Sequence, residues 1–325
     1  ASLIEKGSHQ YDRQTLEAWL ALVANLQGRA ESVLALWESY AIDDTEGDIP
    51  QSRWVRLIDE AEAVDLQVCC SLINASRQLN ESLWQRCFGA VLTSATLTSL
   101  GSYDRFRQRS GTPDSANYQV VPSPFDVSNA ARLIVPRLSA DPSDNEAHTL
   151  AVVEYLEQNL SESHGSLVLF SSRRQMEQVF EGLNSRWRML VLLQGELSRQ
   201  EMIVEHKRRI DSGKGSVLFG LASFSEGVDL PGDYCRHVVI AKIPFAVPDD
   251  PVEESMSEWI EKCGGNPFME MAVPDAAQKL VQACGRLLRH ELDSGDISLL
   301  DRRIVTKRYG KAILASLPPF KQDIR

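Results

Sequence analysis

From residue 131 onward the chain repeats one pattern: a short apolar run, then a stretch with helical spacing. The apolar runs are Leu133-Ile134-Val135, Leu167-Val168-Leu169-Phe170, residues 189–193, Val217-Leu218-Phe219, Val238-Val239-Ile240 and Ile297-Ser298-Leu299-Leu300. Helical stretches begin at Ser143, Ser172 and Ser198, after Pro251, and around 275–290. Consecutive apolar residues in a short run suit a strand buried on both faces. Strands alternating with helices predict an α/β fold, a mostly parallel sheet covered on both sides. Such a sheet reads its ligands with the loops beyond the carboxyl ends of its strands. Ser143/Glu146, Ser172/Gln175 and Ser198/Glu201 have capping-box spacing, and Gly213 sits where a helix-ending glycine belongs.

The first 130 residues read differently. Leu16, Trp19, Leu20, Val23, Leu26, Ala30, Val33, Leu34 and Trp37 recur at three- and four-residue steps, so residues 12–40 predict one long amphipathic helix, ended by the acidic, turn-rich residues 43–50. Residues 65–73 predict a strand. Ala90-Val91-Leu92-Thr93-Ser94-Ala95-Thr96-Leu97 predicts a buried strand opening into a loop of small hydroxyl residues. Gly111, Pro113, Pro122 and Pro124 make residues 110–130 a linker.

A chain of 325 residues has room for two domains or one large one, and 43% apolar with 24% charged residues excludes wholesale disorder. No apolar run reaches the roughly 20 residues of a membrane span, so no membrane partner is expected. Residues 1–6 lack the apolar core of a secretory signal, and the missing initiator Met points to a piece of a longer protein. Cys69, Cys70, Cys87, Cys235, Cys263 and Cys284 show no C-x-x-C spacing and read as mostly buried thiols in a reducing, cytoplasmic compartment. The six histidines have no metal-ligand spacing and read as surface or satisfied core residues, so no metal site is expected.

The net charge of −11 argues at first against nucleic acid, but acidity concentrates in residues 43–65 and 249–261. Arg173-Arg174, Lys207-Arg208-Arg209, Arg302-Arg303 and Lys307-Arg308 stand apart from it. A cleft can then be basic while the whole is acidic. Each cluster taken singly reads as a solvated helix face.

Three segments carry chemistry. In Gln282-Ala283-Cys284-Gly285-Arg286-Leu287-Leu288-Arg289, helical spacing puts Gln282, Gly285, Arg286 and Arg289 on one face. Two permanently charged guanidiniums beside a glycine that allows close approach suit a triphosphate; the alternative is surface arginines paired to nearby carboxylates. Ser223-Phe224-Ser225-Glu226-Gly227-Val228-Asp229-Leu230-Pro231-Gly232 follows an apolar run, where a ligand-reading loop belongs. Ser223 and Ser225 can bond backbone phosphates, while Glu226 and Asp229 can orient arginines or a ribose hydroxyl; a Ser-, Gly- and Asp-rich turn is also the commonest kind of loop. Ser94 and Thr96 can connect a phosphate pocket to a strand-binding face, or simply cap a helix. Gly213-Lys214-Gly215-Ser216 departs from a phosphate loop: Arg208 stands where the leading glycine belongs, and Gly215 replaces the Ser/Thr.

The order of these segments is specific. Ser94-Ala95-Thr96, the run 167–170 with Ser171, Glu226-Gly227-Val228-Asp229, and Gln282-x-x-Gly285-Arg286-x-x-Arg289 resemble superfamily 2 helicase motifs III, IV, V and VI in sequence. Val91-Leu92-Thr93-Ser94-Ala95-Thr96-Leu97, Ser123-Pro124-Phe125, Asn266-Pro267-Phe268 and Thr306-Lys307-Arg308-Tyr309-Gly310-Lys311 resemble the DinG branch of the XPD-like helicases. The resemblance covers most of residues 88–320 and is looser before that.

It implies two RecA-like motor domains, ATP hydrolysis with Mg2+, and 5′-to-3′ movement on single-stranded or forked DNA by a bacterial, cytoplasmic monomer active in DNA repair. It further implies residues 1–62 as the helical end of an arch domain, 63–128 as the last part of the first motor domain, and 129–325 as the second. Carried across residue by residue, Arg289 becomes the finger on the γ-phosphate, with Arg286 beside it and Gln282 orienting. Glu226, Gly227, Asp229 and Gly285 face the nucleotide. Ser171, Ser172, Arg173, Ser223 and Ser225 hold backbone phosphates, and Ser94 and Thr96 couple the two sites. The sequence contains no G-x-x-x-x-G-K-[ST] loop, no Asp-Glu-x-His box and no cysteine quartet. In the family these lie upstream, so an iron–sulfur cluster is expected only in the full-length parent, and this piece alone is expected to be inactive. Two other readings remain: a nucleotide- or sugar-phosphate-using transferase, which would need a glycine-rich turn after the first strand of the sheet, and a binding module without catalysis.

Overall fold

The computed structural model describes residues 11–44, 47–60, 63–221, 224, 227–246 and 250–325. The chain divides into two compact units, residues 1–75 with 248–265, and residues 76–247 with 266–325.

In the first unit, α1 (Arg13–Ala41) is the expected long helix, started by Asp12, whose carboxylate accepts from the Thr15 amide. None of its described residues is buried, and Leu26, Val33, Leu34 and Trp37 are exposed. Strands β1 (Gln51–Glu60) and β2 (Ala63–Leu72) form an antiparallel ribbon. The Tyr40 hydroxyl lies 3.1 Å from the Trp54 carbonyl and 2.9 Å from that of Cys69, tying the end of α1 to both strands. The helix Pro251–Lys262 meets the ribbon through Ser52, whose hydroxyl donates to the Pro251 carbonyl at 2.9 Å.

The second unit is built on one parallel sheet. Its strands are β3 (Ala131–Val135), β4 (Gly165–Phe170), β5 (Val191–Leu193), β6 (Ser216–Leu221), β7 (His237–Ile240), β8 (Gly295–Leu299) and β9 (Lys321–Ile324), in the order β5-β6-β4-β7-β8-β3-β9. All pairings are parallel. Side-chain alternation divides the apolar runs between two faces. Leu133, Leu167, Leu169, Leu218, Val238 and Ile297 pack with residues of α4 (Arg199–Asp211), α5 (Val273–Cys284) and α6 (Arg308–Ser316), among them Met202, Ala276, Leu280 and Ile313. Val168, Phe170, Val217, Phe219 and Val239 pack on the other face with α2 (Asn145–Asn159) and α3 (Arg173–Gly182), through Val152, Leu156, Met176 and Val179.

Several local expectations are corrected. Met189 and Leu190 end the helix Ser185–Leu190, and only Val191–Leu193 is strand. Ser143 does not cap: its hydroxyl turns back to Asp141, and Asp144 accepts from the Ala147 amide instead. Ser172 caps α3, but the Gln175 side chain bonds His148 rather than closing a box. Ser198/Glu201 forms the full box, and Gly213 takes φ +76° after α4. Residues 90–97 are not a strand, and Val91 is 94% exposed. Among the described residues no strand pairs with them, and an isolated parallel strand has no ladder to hold it. Strand β9 was not expected, because Lys321-Gln322-Asp323-Ile324 is a polar edge strand without an apolar run.

Three core histidines are satisfied by neighbours. His148 bonds the Leu300 carbonyl, His206 sits between Ser216 and the Tyr234 carbonyl, and His237 meets Ser298. Burial pushes His206 and His237 down from 6.5 to about 4. Their folded values lie below the unfolded value, so the unfolded chain binds the protons more tightly. Stability is then complete above pH 6.5 and falls as the pH drops from 6.5 toward 4. Glu205, held at about 2 by Arg208 and Arg209, titrates below that window. We expect each imidazole to lower stability on the order of 2 kcal/mol at pH 5 relative to pH 7.5. Urea midpoints at the two pH values measure it, and equal midpoints would contradict the assignment.

Candidate nucleotide and nucleic-acid site

The loop that follows β6 returns to the core through Val228 and Leu230, each 1% exposed, leaving Asp229 between them in solvent. Gly227, at φ +70°, makes the turn that brings Val228 inward. Ser223, Ser225 and Glu226 lie outside the described residues.

Helix α5 lies close to the sheet because its inner face is largely small: Ala276, Ala277, Ala283 and Cys284 are buried beside Val273 and Leu280. Its opposite side carries two glutamines. Gln278 donates to the Thr96 carbonyl at 3.1 Å, and Gln282 to the Thr96 hydroxyl at 3.2 Å. Ser94 sits in the same turn, its hydroxyl accepting from the Thr96 amide at 3.3 Å.

The shared helical face expected for Gln282, Gly285, Arg286 and Arg289 is not formed. Helix α5 ends at Cys284 with Gly285 as its cap. Leu287 is fully buried in the turn beyond, and Asp293 draws that turn inward, accepting from the amides of Arg289 at 2.7 Å and His290 at 2.8 Å. Among the described residues a Cβ at Gly285 would meet only carbonyls of α5 itself, at 3.4 and 3.5 Å.

The turn nonetheless brings the two arginines to one point. Arg286 Nη1 donates to the Val228 carbonyl at 3.2 Å and Arg289 Nη2 to the same oxygen at 2.8 Å. Arg289 Nε lies 3.6 Å from Asp229 Oδ1, with the Asp229 side chain 70% exposed. Arg286, Arg289, Gly227 and Asp229 therefore cluster, while Gln282 points to Thr96. For Arg289 the described holders are a neutral carbonyl and a solvated carboxylate, and a phosphate, a charged and better acceptor, can compete with both.

At the carboxyl ends of β4, β5 and β6 lies a cavity of about 360 Å³ lined by Arg173, Gln194, Gly195, Leu197, Arg199, Met202 and Phe224. Ser172 is committed to capping α3, while Ser171 is half-buried. Arg173 is exposed, with Glu177 3.9 Å away. Some arginines of the other basic clusters are paired: Arg208 and Arg209 with Glu205, and Arg303 with the fully buried Asp301. Burial pushes the thiols of Cys235 and Cys284 up to about 12, so neither is a nucleophile here. Among the described residues no cluster of metal-ligating side chains occurs.

Two contributors escaped the sequence reading. Arg199 had a signal, as the first residue after a capping serine at a cavity edge. Asp293 had none: its role comes from three amides, those of Arg289 and His290 and that of Gly232 at 2.9 Å, which joins the end of the loop to the arginine turn. Burial alone would push its carboxyl up, but the three amides outweigh burial and hold it below the ordinary carboxylate value.

Over residues 156–320 the sequence matches the helicase C-terminal domain family. Similar proteins include the ATP-dependent DNA helicase DinG of Photobacterium profundum, 44% identical over 303 residues that make up 91% of this chain and 43% of that protein. The ATP-dependent DNA helicase DinG of Escherichia coli K12 is 33% identical over 320 residues, 97% of this chain and 44% of that protein. The chain thus spans less than half the length of these relatives. Among solved structures, an XPD helicase matches with a TM-score of 0.58 at 15% identity, covering 81% of this chain and 48% of that one. A second, designated XPD apo, matches with a TM-score of 0.58 at 16% identity, covering 81% and 54%. These likenesses identify the sheet unit as a RecA-like α/β fold.

Replacing Asp293 by Asn puts an amide group where one of the carboxylate oxygens accepts backbone hydrogen bonds. We expect a loss of about 2 kcal/mol in stability, the scale for orphaned buried donors. Denaturant unfolding of Asp293→Asn measures it, and a change under 0.5 kcal/mol, roughly the size of a surface substitution, would show that the turn is held by packing alone.

Proposed function

The chain belongs to the helicase C-terminal domain family, and from that premise we propose that it is the second motor half of an ATP-dependent DNA helicase of the DinG kind. Residues 129–325 carry its second RecA-like motor domain, 63–128 the end of the first and 1–62 the end of a helical arch, with the ribbon of β1 and β2 running across the boundary at 62 and residues 248–265 grouping with the first compact unit. The parent moves 5′ to 3′ on single-stranded or forked DNA as a cytoplasmic monomer, in DNA repair, and carries an iron–sulfur cluster outside this chain. The observation that carries the reading is the convergence of Arg286 and Arg289 on the Val228 carbonyl beside Asp229. A cation pair aimed at one neutral acceptor at the rim of a parallel sheet is suited to meet a phosphate presented from a facing surface.

ATP with Mg2+ would be gripped mainly by the first motor domain, where the metal would supply neutralisation of the phosphate charge. This chain supplies the second-domain charge. Arg289 leaves Val228 for the γ-phosphate, where charge gathers in the transition state, with Arg286 alongside. Glu226, Gly227 and Asp229 read the nucleotide from the loop, with Gly285 open to it at the end of α5. Gln282 passes the state of the site to Thr96 and Ser94. Ser171, Arg173, Ser223 and Ser225 take backbone phosphates, with Ser172 fixing the helix that presents Arg173. Closure on ATP and reopening after hydrolysis step the strand along.

The test is Arg289→Ala in the full-length parent. Loss of a finger of this kind slows turnover roughly a thousand-fold or more, so DNA-stimulated hydrolysis should fall to near background while ATP binding persists. Arg289→Lys should rescue poorly, because an ammonium lacks the planar fork. The chain 1–325 alone should hydrolyse ATP at background rate. Near-normal turnover by folded Arg289→Ala, or DNA-stimulated turnover by this chain alone, would contradict the reading.

A further inference from the structure

The loop between β6 and Leu230 is gripped from two sides, and only one grip belongs to the arginine pair. On the other side Arg199 Nη2 donates to the Phe224 carbonyl at 2.9 Å, and its guanidinium carbon lies 5.4 Å from the centre of the Phe224 ring. Phe224 is 3% exposed, and its ring fills the space a side chain at Gly220 would need, since a Cβ there would lie 2.7 Å from the ring. Farther along the loop, Arg199 Nη2 would stand 3.5 Å from a Cβ at Gly227. The base of the loop is fixed as well: Gln194 Oε1 accepts from the Leu221 amide at 2.7 Å. Arg199 is itself anchored, as the first residue of α4 behind the closed Ser198/Glu201 box. Arg199, Gln194 and Phe224 all line the cavity that Arg173 faces.

One segment is thus clamped at its start by groups of the cavity and at its end by the arginines of the nucleotide side. We propose that Arg199 is a positioning residue that couples a nucleic-acid phosphodiester in this cavity to the loop carrying Asp229, and so to the placement of Arg286 and Arg289. The inference rests on the helicase reading above. Its chemistry needs the guanidinium and not merely its charge: Nη2 donates to the Phe224 carbonyl while the guanidinium carbon sits over the Phe224 ring, and a compact ammonium cannot span both.

The experiment uses the full-length parent and oligothymidylate as the single strand. For Arg199→Lys we expect DNA half-saturation and ATP KM within about threefold of the parent, an unchanged salt dependence of DNA binding, and a maximal DNA-stimulated kcat lower by about tenfold, the scale of a modest misplacement. Phe224→Leu keeps the apolar plug and loses the ring, and should lower kcat by about threefold without changing the slope, as the cation–π share of the grip. Normal kcat in Arg199→Lys would overturn the proposal, since charge would then suffice. Arg199→Ala with intact kcat at saturating DNA but a salt slope flatter by about 0.7 would also overturn it, identifying a direct phosphate contact instead. Losses that merely track a smaller fraction of titratable ATP sites would reduce Arg199 to a folding role and overturn it too. Failure of the helicase reading itself would show in the unmutated parent, as absent DNA-stimulated turnover.

Discussion

The carbonyl of Val228 accepts from both Arg286 and Arg289, and the arrangement of the site depends on that shared oxygen. A buried carbonyl must find donors. Val228 is held in the core while Asp229 next to it is not, so the donors come from a neighbouring turn rather than from water. Without them the arginines would have no common target, and the loop after β6 would have no tie to the end of α5. Asp293 closes the circuit from the backbone side by taking amides of both the arginine turn and Gly232.

The sheet explains why these groups meet. Strands β4, β6 and β7 are neighbours, and the functional loop leaves the carboxyl end of β6. Helix α5 lies on one face of the sheet through small residues, which sets its last turn beside that loop. The opposite face, covered by α2 and α3, presents Arg173 at the end of β4. One packing scheme thus delivers the Arg286–Arg289–Asp229 cluster and a separate cavity to the same edge, connected by a single loop.

How much of this is legible in the chain depends on the range of the force involved. The strands β3, β4, β6, β7 and β8 are visible because a strand buried on both faces must be apolar at consecutive positions. Strand β9 is invisible because an edge strand bears no such demand. The end of α5 is invisible for another reason: helical spacing continues through Arg289, and the stop comes from the burial of Leu287 and from Asp293, a partner whose role no local pattern marks. Residues 90–97 have the composition of a buried strand, yet composition does not supply neighbours to pair with. In the site, Arg286, Arg289 and Asp229 are residue types that suit a phosphate, but the oxygen on which the arginines converge is a backbone atom and leaves no trace in the sequence.

The most direct measurement is a structure of the full-length parent with single-stranded DNA and ADP bound to a planar fluoride mimic of the transferred phosphoryl group. The account predicts Arg289 within about 3 Å of the mimic, ordinary charge-assisted hydrogen-bond distance, and no longer on the Val228 carbonyl. Arg289 still on Val228, with the mimic contacted by no arginine of this chain, would contradict it.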